Sequence, residues 1–139
     1  MIKRYPMEEE DLRVEKLDFG TFTVGDRFII GEAKEGANIR LAEFIRLIEI
    51  ANASFKGAKW GYISKRQNEY SLQPTIHHEA PKFEKNMVAF AMVTEKSSHF
   101  NSALLEKRIV GDSYKFECFS EVETAVEWVR EEVERATSS

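Results

Sequence analysis

The sequence predicts an α/β fold: one domain with a mixed, mostly parallel sheet. Three observations predict it. From Trp60 onward, apolar runs of strand length alternate with amphipathic runs of helix length. The run "MVAFAMVT", residues 87–94, is apolar almost without interruption, as a central strand covered on both faces requires. Residues 13–36 carry closely spaced turn signals, which join short antiparallel strands rather than crossovers. The order strands, helix, strand, helix, strand, helix, strand, helix therefore predicts βαβ crossovers with an antiparallel edge.

Residues 1–11 read as a polar leader, with Glu8, Glu9, Glu10 and Asp11 as a solvated charge run. Residues 12–139 form the single domain. In "RVEKLDFGTFTVGDRFIIGEAKEG", Val14, Leu17 and Phe19 precede Gly20, and Phe22 and Val24 alternate with Thr21 and Thr23. Gly25-Asp26 marks a turn and Phe28 resumes the apolar run, giving two or three short strands. Leu41, Phe44, Ile45, Ile48 and Ala51 then recur at helical spacing, with Asn38 as the expected cap. "AKWGYIS" is a strand with Trp60 and Tyr62 on one face. Ser71 and Pro74 suggest a helix start, and Pro81 limits that helix to two or three turns. "SSHFNSALLEKRIVG" is a helix ending at Gly111, and "SYKFECF" is the last strand. The final helix shows a capping-box pattern, Ser120 with Glu123. Its apolar stripe is Val122, Ala125, Val126, Val129 and Val133, with Trp128 at the edge as a packing anchor.

Composition narrows the function. The chain has 139 residues, enough to bury a core without staples. A net charge of −4 argues against a nucleic-acid binder, which needs a concentrated positive face. The single cysteine, Cys118, has no partner for an intramolecular disulfide and reads as a packed thiol, which fits a reducing cytoplasm. No apolar stretch approaches the roughly 18 residues of a membrane span. There is no GxSxG, no GxGxxG and no GxxxxGK[ST]. His77 and His78 are adjacent, so on a helix they point about 100° apart and do not share one metal. Both read as solvent-facing, and His99 has no ligand partner at useful spacing. No metal site, cofactor or catalytic residue is expected.

The segment that stands out is "SKRQNEYSLQPT", residues 64–75, at the carboxyl end of a parallel strand. Open α/β sheets bind ligands at such ends. Arg66 could clamp an anion or carboxylate, Tyr70 could add an amphipathic contact, and Ser71 could cap a helix or accept a phosphate. The competing reading is structural: Asn68 shapes a turn, Tyr70 packs, Ser71 caps, and Arg66 pairs with a nearby Glu.

"GYISKRQNEYSLQPTI", "MVAFAMVT" and the ending made by Phe119, Ser120, Ala125 and Trp128 together resemble a family of small bacterial proteins. These are frequent in Bacteroidetes and described as STAS-like or SpoIIAA-like. The resemblance runs over roughly residues 12–135. It implies a layered β-α fold with helices mainly on one sheet face, and a non-enzymatic regulatory or ligand-binding role. Anti-sigma antagonists of this kind carry a phosphorylatable serine in an Asp-x-Ser-Gly-like turn. That tetrapeptide is absent, and Ser71 is the serine nearest the corresponding place.

The leading expectation is thus a binding or regulatory module with candidate residues Arg66, Asn68, Tyr70 and Ser71, Ser71 also being the candidate phosphorylation site. Its partner would be another protein or a second copy of the chain, seated on a sheet face that the helices leave bare. The alternative is a carrier of a small apolar ligand or lipid, with Phe28, Trp60, Tyr62, Phe90 and Phe116 lining a pocket. An enzyme using Arg66, Tyr70 and a carboxylate has the least support, because nothing in the spacing demands it.

Overall fold

A computed structural model of the chain describes residues 12–68 and 70–138, so the polar leader lies outside the described residues. Along the chain run β1 (Arg13–Leu17), β2 (Gly20–Val24), β3 (Phe28–Ala33), β4 (Asn38–Ile39) and α1 (Leu41–Phe55). Then come β5 (Trp60–Lys65), β6 (Ser71–Leu72), α2 (Ile76–Glu79), β7 (Met87–Val93), α3 (Phe100–Val110), β8 (Lys115–Phe119) and α4 (Val122–Ser138).

Six strands make the main sheet in the order β1-β2-β3-β5-β7-β8, which is their order in sequence. β1, β2 and β3 are antiparallel, as their short connections require. Gly25 closes the second turn, its N–H donating to Phe28 O at 2.8 Å, and the Phe28 ring fills the place a side chain at Gly25 would take. From β3 onward each strand lies parallel to the next. Crossovers of one hand, stepping always in one direction, put their helices on one face. α1, α2 and α3 accordingly pack there, over Phe22, Ile29, Tyr62, Phe90 and Phe116.

α4 follows the last strand and crosses the other face. Its Ala125, Val126, Val129 and Val133 pack on Phe28, Ile30, Ile63, Ala89 and Ala91. Gly61, Ala89 and Ala91 on the strands let the helix come close. A Cβ at Gly61 would stand 2.4 Å from Val129 Cγ1. β7 is therefore covered twice, with Phe90 and Met92 under one set of helices and Ala89, Ala91 and Val93 under α4. The bare sheet face expected to attract a second copy is not bare at these strands, because α4 occupies it. Trp128 sits at the stripe's edge, its ring 5.5 Å from that of Phe119.

Several boundaries differ from expectation. Asn38 is not a cap: it lies in β4, and Arg40 flanks α1, donating its N–H to Glu43 Oε1 at 2.9 Å. Ser71 does not start a helix. It lies in β6, parallel to β4 with Asn38 opposite Ser71 and Ile39 opposite Leu72. The helix begins at Ile76, lasts one turn, and continues as a 3-10 turn through Pro81. α4 begins at Val122, and Glu121 rather than Ser120 gives the carbonyl for its first bond, to Ala125 N–H at 3.2 Å. Gly111 does end α3, at φ 57°. Among the described residues no helix is long and apolar enough to cross a membrane.

Candidate functional site at the carboxyl end of β5

Alternation along β5 sends Trp60, Tyr62 and Ser64 toward the α1 face. Arg66 continues that series, since its N–H still bonds Val93 O at 2.8 Å. Its side chain consequently enters the core instead of the solvent, and only 8% of it is exposed. A guanidinium there needs a charged partner. Glu106 of α3 supplies it bidentately: Nη1 donates to Oε2 at 2.8 Å and Nη2 to Oε1 at 2.9 Å.

The network extends on both sides. His77 Nε2 lies 2.7 Å from Glu106 Oε1, and His77 Nδ1 lies 2.5 Å from Tyr114 Oη. Arg66 Nε donates to Ser64 Oγ at 2.9 Å, and Ser64 Oγ lies 3.1 Å from Tyr70 Oη. An ionised carboxylate only accepts, so Nε2 carries the proton toward Glu106. Among the described residues no buried side-chain nitrogen or oxygen lacks a partner.

Burial works to raise the Glu106 carboxyl, but hydrogen bonds from His77 and Arg66, with the Arg66 charge, override it and hold the carboxyl at about 2. Burial likewise opposes the Arg66 charge, and Glu106 more than offsets it. Burial pushes the Tyr114 phenol well up. The unfolded chain thus takes up the Glu106 proton first as pH falls. The stability this carboxylate contributes is complete above its ordinary value of 4.5 and is lost as pH drops through about 2. The loss should be on the order of 3 kcal/mol. Urea unfolding across that range should show the wild type losing more stability than Glu106→Gln.

The four predicted residues come together, with Arg66 paired to a Glu and Tyr70 packed against the core, as the structural reading of the segment has them. Arg66, Asn68, Tyr70 and Ser71 line one rim pocket of about 270 Å3, joined by His99 and Ser102. Arg66 is the floor, already paired. Tyr70 lies over it, with the guanidinium 5.9 Å from the ring centre. Asn68 Nδ2 donates to Ala33 O at 3.0 Å and pins the loop to the end of β3. Ser71 Oγ donates to Asn38 Oδ1 at 2.9 Å on the exposed side. Without a helix start at Ser71, the electrostatic reason for a phosphate there is gone. His99 is held by Thr94, Nδ1 to Oγ1 at 2.7 Å. A wider open trough of about 760 Å3 lies by the start of α4, where Thr21, Thr23 and Lys65 meet Glu121.

Two expectations are corrected. His77 is not solvent-facing: it is fully buried, with Phe90 and Phe116 rings packed edge-on at 4.7 and 5.6 Å, while His78 is exposed. The signal for its partner is in α3, where Glu106 falls between Ala103 and Val110 on the buried stripe. A carboxylate at a core position demands a buried cation or donor. The five aromatics read as a pocket lining do not share a cavity. Phe28 faces α4, whereas Trp60, Tyr62, Phe90 and Phe116 face the other helices. The void beside Phe22, Phe44 and Tyr62 is about 10 Å3, no more than one water. Cys118 is half-buried in β8, and burial raises its thiol.

No protein-family model, curated protein or solved structure matches this chain.

Proposed function

We propose that this chain is a non-enzymatic, cytoplasmic binding module of STAS-like type that takes a small neutral polar ligand at the rim pocket and answers to a protein partner. The observation that carries the reading is that Arg66, Asn68, Tyr70 and Ser71 line one pocket at the carboxyl end of a parallel strand. The charges in its floor cancel, since Arg66 and Glu106 form a closed pair. Neither an anion nor a cation gains much there, whereas hydroxyl and amide groups can meet Ser71, Ser102 and the imidazole of His99. Binding is favoured over proton transfer because Glu106 is held near 2, far from the neutral range a general base needs. Three strands, then three helical crossovers on one face, are compatible with the STAS-like layering.

Ser102 is exposed and lines the pocket, so Ser102→Trp fills it without touching the core. Ligand-observed NMR against unmodified nucleosides, monosaccharides and amino-acid amides should find a ligand for the wild type. Ser102→Trp should weaken that ligand by at least about tenfold, or 1.4 kcal/mol, with the thermal midpoint unchanged. No binding by any class, or equal binding by the variant, overturns the reading.

A further inference from the structure

Two exposed features meet at one edge of the sheet. Among the described residues β8 is an end strand: it pairs with β7 and with no other strand. An end strand presents unpaired backbone N–H and C=O groups, a template for another strand. Beside it runs α3, where Phe100, Leu104 and Lys107 stand at i, i+4 and i+7 along one flank. Lys107 Nζ reaches Glu117 Oε2 of β8 at 3.4 Å, so this is the flank turned to the free edge. Phe100 is 50% exposed and Leu104 64%. The opposite flank, with Ser102 and Leu105, borders the rim pocket. Large apolar side chains overhanging an open strand edge call for cover.

The strand itself names the occupant. Lys115 and Glu117 are both exposed and lie two residues apart, hence on one face. If β8 pairs antiparallel with β8 of a second copy, centred on Phe116, each Lys115 stands directly opposite Glu117 of the other copy. Opposite charges across a strand pair stabilise it, while centring on Glu117 would oppose two carboxylates. The twofold axis that does this is normal to the sheet. It keeps both α3 helices on the same face and turns their apolar flanks toward each other, the self-complementary arrangement such an axis demands. We propose that the β8 edge is a self-association interface. Two chains join β8 to β8 into one continuous sheet, sealed by Phe100 and Leu104 of both copies. This does not rest on the rim pocket, which lies on the other flank of α3.

Sedimentation equilibrium of the full chain over a wide concentration range tests it. The wild type should sediment at twice the chain mass. Leu104→Glu and the uncharged Leu104→Ser should both fall to one chain mass with unchanged circular dichroism, because Leu104 makes no part of the core. Lys115→Glu should weaken the dimer by at least about tenfold, and adding Glu117→Lys should restore it. A wild type at one chain mass throughout overturns the proposal. So does a dimer that survives both Leu104→Glu and Lys115→Glu, or a charge swap that restores nothing.

Discussion

Glu106→Ala should destabilise the fold by about 3–5 kcal/mol, because it strands a buried cation. Arg66 is only 8% exposed, at the floor of the rim pocket, and its Nε–H is spent on Ser64. His77, fully buried, loses its Nε2 acceptor in the same stroke. Much of the loss comes from the groups left behind rather than from the ion pair itself. Arg66→Met with Glu106→Gln removes both charges and keeps an oxygen for His77. That double variant should recover most of the stability, so the two substitutions are strongly non-additive. Urea unfolding of Glu106→Ala, of Arg66→Met and Glu106→Gln singly, and of the double settles it. Additive losses would mean that the pair is solvated and contributes little.

Phe90→Ala should lose a similar amount, about 3–5 kcal/mol, through a cavity. Phe90 is the hub of the aromatic layer under α1 to α3. Its ring lies 5.4 Å from Phe116 and almost parallel to it, 5.3 Å from Tyr62, and 4.7 Å from the His77 imidazole. Truncation removes a wall from the ionic network as well as area from the core. Phe90→Leu, which retains most of the volume, should lose distinctly less. Equal losses for the two, measured by denaturant midpoint, would show that the layer relaxes into the gap.

The alternation that predicts the sheet is strong because each strand is long enough to show its own period. "MVAFAMVT" places Phe90 and Met92 against one helix layer and Ala89 and Ala91 against another, as its unbroken apolar character implies. Which face α4 takes was not legible, since the handedness rule governs only helices between parallel strands. The β4–β6 pair was not legible either. Two-residue strands have no period, and each exists only through a partner 33 residues away in sequence. The rim segment was legible as an unusually polar stretch at a strand end. Its inner half was not, because Arg66, His77 and Glu106 are brought together from three elements. α3 also misleads: Phe100, Leu104 and Leu105 lie outside while Glu106 lies inside.

The strand order has a consequence for how the chain is made. Every strand of the sheet after β1 pairs with one that precedes it, so the sheet can grow by accretion as the polypeptide emerges. α4 is not part of that accretion. It comes after every strand it covers, and until it docks, Phe28, Ile30, Ile63 and Ala91 face water together. During synthesis the nascent domain thus passes through a stage with one finished side and one greasy side, the interval in which a chaperone or a wrong neighbour has its chance.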